Sequence, residues 1–114
     1  MSVTIYHNPR CSKSRETLTL IEEKGINPDI VLYLETPPSE AALNDILKKL
    51  GKSPEELMRR GEQEYKDHIR GQDLSEQQQI AKMVTYPKMI ERPIVLSNGQ
   101  ARVGRPPESV LEIL

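Results

Sequence analysis

Val3-Thr4-Ile5-Tyr6, His7-Asn8-Pro9-Arg10 and Cys11-Ser12-Lys13-Ser14-Arg15 follow one another at the start of the chain, and their order decides the fold. Val3 to Tyr6 are β-formers and predict a first strand. Asn8-Pro9 forces a turn, because proline fixes its own φ and restricts the residue before it. From Ser12 a helix is expected, with Leu18 and Ile21 on one face and a stop at Gly25. Asp29 to Leu34 then carries Ile30-Val31-Leu32-Tyr33, a short apolar run of the kind found in buried strands. The separation of the two strands accommodates a crossover helix, so they are expected to lie parallel.

Beyond this βαβ unit the signals are helical. Ser39 is an N-cap for a helix whose Leu43, Ile46, Leu47 and Leu50 form one apolar stripe, with Gly51 as its stop. Ser53-Pro54-Glu55-Glu56 and Ser75-Glu76-Gln77-Gln78 both read as capping boxes. The second precedes Ile80, Ala81 and Val84, and Pro87 limits that helix. Strand signals return at Ile94-Val95-Leu96, and Asn98-Gly99 marks a hairpin leading to Ala101–Val103. Pro106-Pro107 opens a last short helix through Val110, Leu111 and Leu114. The order predicts an α/β fold, a thioredoxin-like βαβ–ββα layout with a mixed sheet and a helical insertion at about residues 36–90. With 114 residues, one domain over 1–114 is expected.

Sixteen Lys and Arg against seventeen Asp and Glu give a net charge of -1, which argues against a general nucleic-acid or membrane-surface binder. No apolar run is long enough to span a membrane, and the N-terminus lacks a signal-peptide layout. A cytoplasmic protein is expected. The near-neutral total hides a pattern. Residues 1–15 hold Arg10, Lys13 and Arg15 and no acid; residues 92–107 hold Arg92, Arg102 and Arg105 and no acid. Brought together, the two segments would form an electropositive site suited to a small anion.

Cys11 is the sole cysteine, so an internal disulfide and a cysteine-based zinc cluster are excluded. It stands where the first strand hands over to a helix. The free amides and the dipole of a helix start favour an anion there, and a thiolate is one. Nucleophilic attack is the expected use. In a dithiol oxidoreductase the residue three positions on would be a second cysteine. Here it is Ser14, so a covalent intermediate on Cys11 needs a thiol from another molecule. His7 and His68 lie far apart and neither has a second ligand at helical spacing, so no metal is expected. His68, within Glu64-Tyr65-Lys66-Asp67-His68, is expected to face solvent. No glycine-rich nucleotide motif is present, and no bound cofactor is expected.

Tyr6-His7-Asn8-Pro9-Arg10-Cys11-Ser12-Lys13-Ser14-Arg15 and Tyr33-Leu34-Glu35-Thr36-Pro37-Pro38 resemble the glutaredoxin-coupled arsenate reductase (ArsC) family. So do Leu57-Met58-Arg59-Arg60, Glu91-Arg92-Pro93-Ile94-Val95 and Val103-Gly104-Arg105-Pro106-Pro107, and the resemblance spans almost the whole chain. It implies reduction of arsenate to arsenite, with glutathione as co-substrate and glutaredoxin as partner. By the same resemblance Cys11 is the nucleophile and His7 the histidine that helps activate it. Arg59, Arg92 and Arg105 would hold the oxyanion, with Ser14 and Arg15 in support. A planar guanidinium matches a tetrahedral oxyanion and stays charged. A cis Arg92-Pro93 bond is also implied, a geometry that an X-Pro bond accepts at about 0.5–1 kcal/mol. Arg10 and Lys13 stand where well-studied members often carry small residues. Gly104 replaces a bulkier one, and these members extend beyond the position of Leu114. The variations resemble a chromosomal subgroup. Two other functions fit the same fold: a regulator like the Spx proteins, which bind RNA polymerase and sense redox state through a Cys-x-x-Cys that Ser14 breaks here, or a glutathione-dependent thiol protein acting on another oxyanion.

Overall fold

The computed structural model describes residues 2–114. The chain forms two compact units, one from residues 1–36 and 92–114 and the other from residues 37–91.

The first unit is built on a four-stranded mixed sheet in the order β2-β1-β3-β4. Strand β1 (Val3–Tyr6) is central; it pairs in parallel with β2 (Asp29–Val31) and antiparallel with β3 (Ile94–Ser97). Strand β4 (Gln100–Val103) closes the far edge, with Ser97 opposite Gln100 across a two-residue turn. Asn98 and Gly99 both take positive φ, 53° and 72°, the backbone that a tight hairpin between right-twisted strands requires. Helix α1 (Ser12–Glu23) crosses over between β1 and β2. The core joins Val3, Ile5, Ile21, Val95, Val110 and Ile113, with Leu18, Ile26 and Leu114 packed against it. The terminal helix is a 3-10 helix, Pro107–Ile113.

Strand β2 departs from expectation. It stops at Val31 and is an edge strand rather than a buried one: Ile30 is 49% exposed. The Glu35 and Thr36 amides both donate to the Leu32 carbonyl, which turns the chain out of the sheet after one further residue. The apolar run predicts a buried strand, but β2 has no neighbouring strand on its outer side. Tyr33, beyond the strand, is the residue of this run that is buried, at 1% exposure.

The second unit is helical. Helix α2 (Glu40–Leu50) buries Leu43, Ile46 and Leu47, and the Ser39 hydroxyl accepts from the Ala42 amide at its start. Ser53 and Glu56 exchange their capping hydrogen bonds, but the turn they open is only a 3-10 turn, Glu55–Leu57. Helix α3 (Gln63–His68) and helix α4 (Glu76–Thr85) follow, and α4 carries the full reciprocal box between Ser75 and Gln78. Ile80 is buried as expected, but Met83 rather than Ala81 or Val84 completes the inner face. His68 does not simply face solvent: its ring stacks on Tyr86 at 3.9 Å. No described helix is long and apolar enough to cross a membrane.

Candidate active site

Cys11 is the N-cap residue of α1, with extended backbone dihedrals and no side-chain capping bond. Its amide donates to the Asn8 carbonyl at 3.0 Å, and its own carbonyl accepts from the Arg15 amide at 3.0 Å. The sulfur is half-buried and is the acceptor of an Arg105 guanidinium N–H, with Nη2 3.6 Å from Sγ. Arg105 is held in this pose by a second bond, Nε to the Arg92 carbonyl at 2.8 Å. The two acid-free segments of the sequence do meet, at the thiol. Arg102 is not part of the meeting, since its Nε pairs with Glu112 at 3.1 Å.

The Arg92-Pro93 peptide is cis, as the resemblance implied, and so is Arg105-Pro106, which no sequence argument anticipated. Arg92 and Arg105 therefore each precede a cis proline, one entering β3 and the other leaving β4. Gly104 lies between them and α1. A Cβ there would sit 2.5 Å from Thr17 Oγ1 and 2.8 Å from Pro93 Cγ, so this place in the wall admits no side chain. The close approach is the physical reason for the glycine, and the sequence carried no sign of it.

The loop before Cys11 is fastened from within. Ser14 is fully buried, and its Oγ lies 2.6 Å from His7 Nδ1 and accepts from the Asn8 amide at 3.0 Å. The Asn8 side chain accepts from the Arg10 amide, and Arg15 Nη1 donates to the Pro9 carbonyl at 2.9 Å. Asn8 thus shapes the loop through its amide, its carbonyl and its side chain; the Asn-Pro pair was legible as a turn but not as this hub. One assignment satisfies Ser14: it accepts from Asn8 and donates its proton to His7 Nδ1. The other tautomer would leave a buried hydroxyl proton with no acceptor among the described residues. Burial, and secondarily the Arg15 charge, hold the His7 pKa below its ordinary 6.5. His7 is accordingly neutral near pH 7 and steadies the loop as a hydrogen-bonding group rather than as a cation.

Arg59 belongs to the helical unit, after the 3-10 turn. Its Nη1 lies 2.6 Å from Glu62 Oε1, and its Nε lies 3.7 Å from Glu91 Oε1. Lys13 has an exposed partner in Glu16 at 3.8 Å, so the basic loop meets a carboxylate just past the segment that lacked one. Among the described residues no group of three or more His, Cys, Asp and Glu could hold a metal ion.

The ArsC family model matches residues 6–113, from the end of β1 to the terminal 3-10 helix. The chain belongs to the ArsC family. An ArsC-family relative from Haemophilus influenzae, named arsenate reductase, is 49% identical over 100% of this chain and 100% of its own length. A second protein of that name, from Neisseria meningitidis serogroup A, is 44% identical over 98% of this chain and 97% of its own. Among solved structures, an arsenate reductase from Vibrio cholerae superposes with a TM-score of 0.95 at 54% identity, covering 100% of this chain and 98% of that one. The α/β architecture is that of the ArsC proteins, with the thioredoxin-like sheet as its frame.

Proposed function

We propose that this protein is an arsenate reductase in which Cys11 attacks arsenic and an external thiol, glutathione with glutaredoxin, completes the turnover. The observation that supports it most directly is the Arg105 guanidinium at 3.6 Å from the Cys11 sulfur, at a helix start that no side chain caps. Uncapped amides and fixed arginine charge favour an anion held beside the sulfur. In the first step the sulfur displaces one arsenate oxygen, which leaves as water, and an S–As bond forms with arsenic still in the pentavalent state. In the second, a glutathione thiolate attacks Sγ. The S–As bond breaks, its electron pair stays on arsenic, and arsenite leaves with the Cys11–glutathione disulfide behind it. A further thiol, from glutaredoxin or glutathione, attacks that disulfide and returns Cys11. Each cycle moves two electrons from two thiols to arsenic.

Within this reading Arg92 and Arg105 hold the oxyanion and offset the charge that builds as sulfur attacks. Arg59 is assigned the same task by its family position. Ser14, occupying the place of a resolving thiol, supports His7 and the loop instead. A reduced cytoplasm would supply the thiols. The test is arsenate-dependent oxidation of glutathione in the presence of glutaredoxin. Wild-type protein should turn over, and Cys11→Ser should have no measurable activity while keeping its circular dichroism and melting temperature. Turnover by that variant would remove the covalent mechanism.

A further inference from the structure

Thr17 is fully buried on α1, six residues beyond Cys11 and so about 9 Å along the helix. It packs against Gly104, the buried residue that follows β4 and precedes Arg105. The Gly104 amide donates to the Pro93 carbonyl at 2.9 Å, which carries the β3–β4 pairing one residue past the strand. Arg105 comes next and is tied at two points: Nε to the Arg92 carbonyl at 2.8 Å, and Nη2 to the Cys11 sulfur at 3.6 Å. Cys11, α1, Thr17, Gly104 and Arg105 therefore close a circuit. Its links are a hydrogen-bonded helix and a paired strand end, so a change in spacing at Thr17–Gly104 is carried to Arg105 and the sulfur.

The Thr17–Gly104 contact has little give. A Cβ at position 104 would lie 2.5 Å from Thr17 Oγ1, 3.2 Å from Thr17 Cγ2 and 2.8 Å from Pro93 Cγ. Non-bonded heavy atoms sit at about 3.5–4.0 Å, so room for that Cβ takes about 1 Å of movement. Thr17 does not swing aside: its branched side chain is stiff in a helix, and Oγ1 donates to the Lys13 carbonyl at 2.8 Å. Pro93 Cγ belongs to a ring and has no free torsion. The movement falls on the backbone. Misplacing a group by about 1 Å can cost an active site on the order of a hundredfold.

We propose that Thr17 and Gly104 are positioning residues: their contact, with no Cβ between, sets the spacing of α1 from the end of β4 and so holds the Arg105 guanidinium on Cys11. The proposal rests on the role given to Arg105 above and adds the contact that places it.

The test is a double-mutant cycle on the whole protein. Arsenate affinity, by calorimetry, and the rate of Cys11 alkylation by iodoacetamide are measured for the wild type, Gly104→Ala, Arg105→Ala and the double variant. Gly104→Ala should weaken arsenate binding by about tenfold and shift the alkylation rate in the direction that Arg105→Ala does. With Arg105 already removed, Gly104→Ala should cost less than about twofold, a coupling that lost stability alone does not produce. Adding Thr17→Ala to Gly104→Ala should restore part of the affinity, because two of the three atoms that the new Cβ meets are gone. Thr17→Val, which puts a methyl in place of Oγ1, is the gentler second variant should Gly104→Ala fail to fold. It should weaken binding by about threefold, and again only while Arg105 is present. A folded Gly104→Ala with wild-type affinity and alkylation rate overturns the proposal, as do equal losses with and without Arg105. If the wild type binds no arsenate, the arsenate reading fails and the alkylation cycle decides alone. Coupling between positions 104 and 105 then keeps the positioning role, and additivity sinks it.

Discussion

The two units begin their helices differently. In the helical unit α2 and α4 each start with a serine whose hydroxyl accepts a backbone amide, and each has a glutamate in the first turn. In the sheet unit α1 starts at Cys11 with no side-chain cap and no acidic residue in its first turn. The first arrangement satisfies the free amides and the dipole with groups the chain carries itself. The second leaves the thiol and an arginine N–H at the helix start. Among the arginines, Arg59 pairs with Glu62 and Glu91, and Arg105 donates to the Arg92 carbonyl and to the Cys11 sulfur. A helix end satisfied by its own side chain serves stability, and one left uncapped keeps its amides for a ligand.

The largest effect that bears on this contrast is expected from Arg105→Ala. Losing a charge-assisted contact should weaken oxyanion binding by about 1.5–3 kcal/mol, roughly ten- to a hundredfold. Arg105→Lys should recover part of that, because an ammonium cannot both hold the Arg92 carbonyl and reach the sulfur with a planar fork. Calorimetric titration with arsenate would measure both. Equal affinity in the alanine variant would mean that Arg105 is engaged for structure and not for the oxyanion.

Gly104→Ala comes next. The added methyl meets Thr17 and Pro93, and overpacking of this kind costs about 1–3 kcal/mol, readable in urea unfolding. Alanine at any helix-unit glycine with nothing near its Cβ provides no such clash; Gly61 is the control. Ser75→Ala should remove a cap at a cost of about 1 kcal/mol and leave arsenate kinetics untouched, as befits a helix start that serves only its own unit. The smallest effect is a pH dependence. His7 has a folded-state pKa below 6.5, so its contribution to stability is fully present above about pH 6.5. As pH falls past that value the unfolded chain takes up the proton first, and stability declines until the folded-state pKa is passed. Unfolding midpoints between pH 7 and 5 should show this decline in the wild type and less of it in His7→Asn.

Much of this was legible in local patterns. Ser39, Ser75 and Asn98-Gly99 act through neighbours two to four residues away, and such signals survive without tertiary context. The Ser53 box was legible too, but its reach of one turn did not decide whether a helix would follow. Ile30 failed for the opposite reason. An apolar strand residue looks the same at an edge as at a centre, since burial depends on what pairs with the outer side.

The candidate site divides along the same line. Cys11 at a strand-to-helix junction, the absence of a second thiol and the two acid-free segments belong to the sequence itself, because composition and order alone state them. That Arg105 rather than Arg102 reaches the sulfur was decided by β4: the two residues lie three apart near the end of that strand, and one is drawn to Glu112 while the other turns to the Arg92 carbonyl. The need for Gly104, the second cis proline and the neutral His7 were decided in the same way. Each depends on atoms from segments distant in the chain, and only the closed sheet sets those distances.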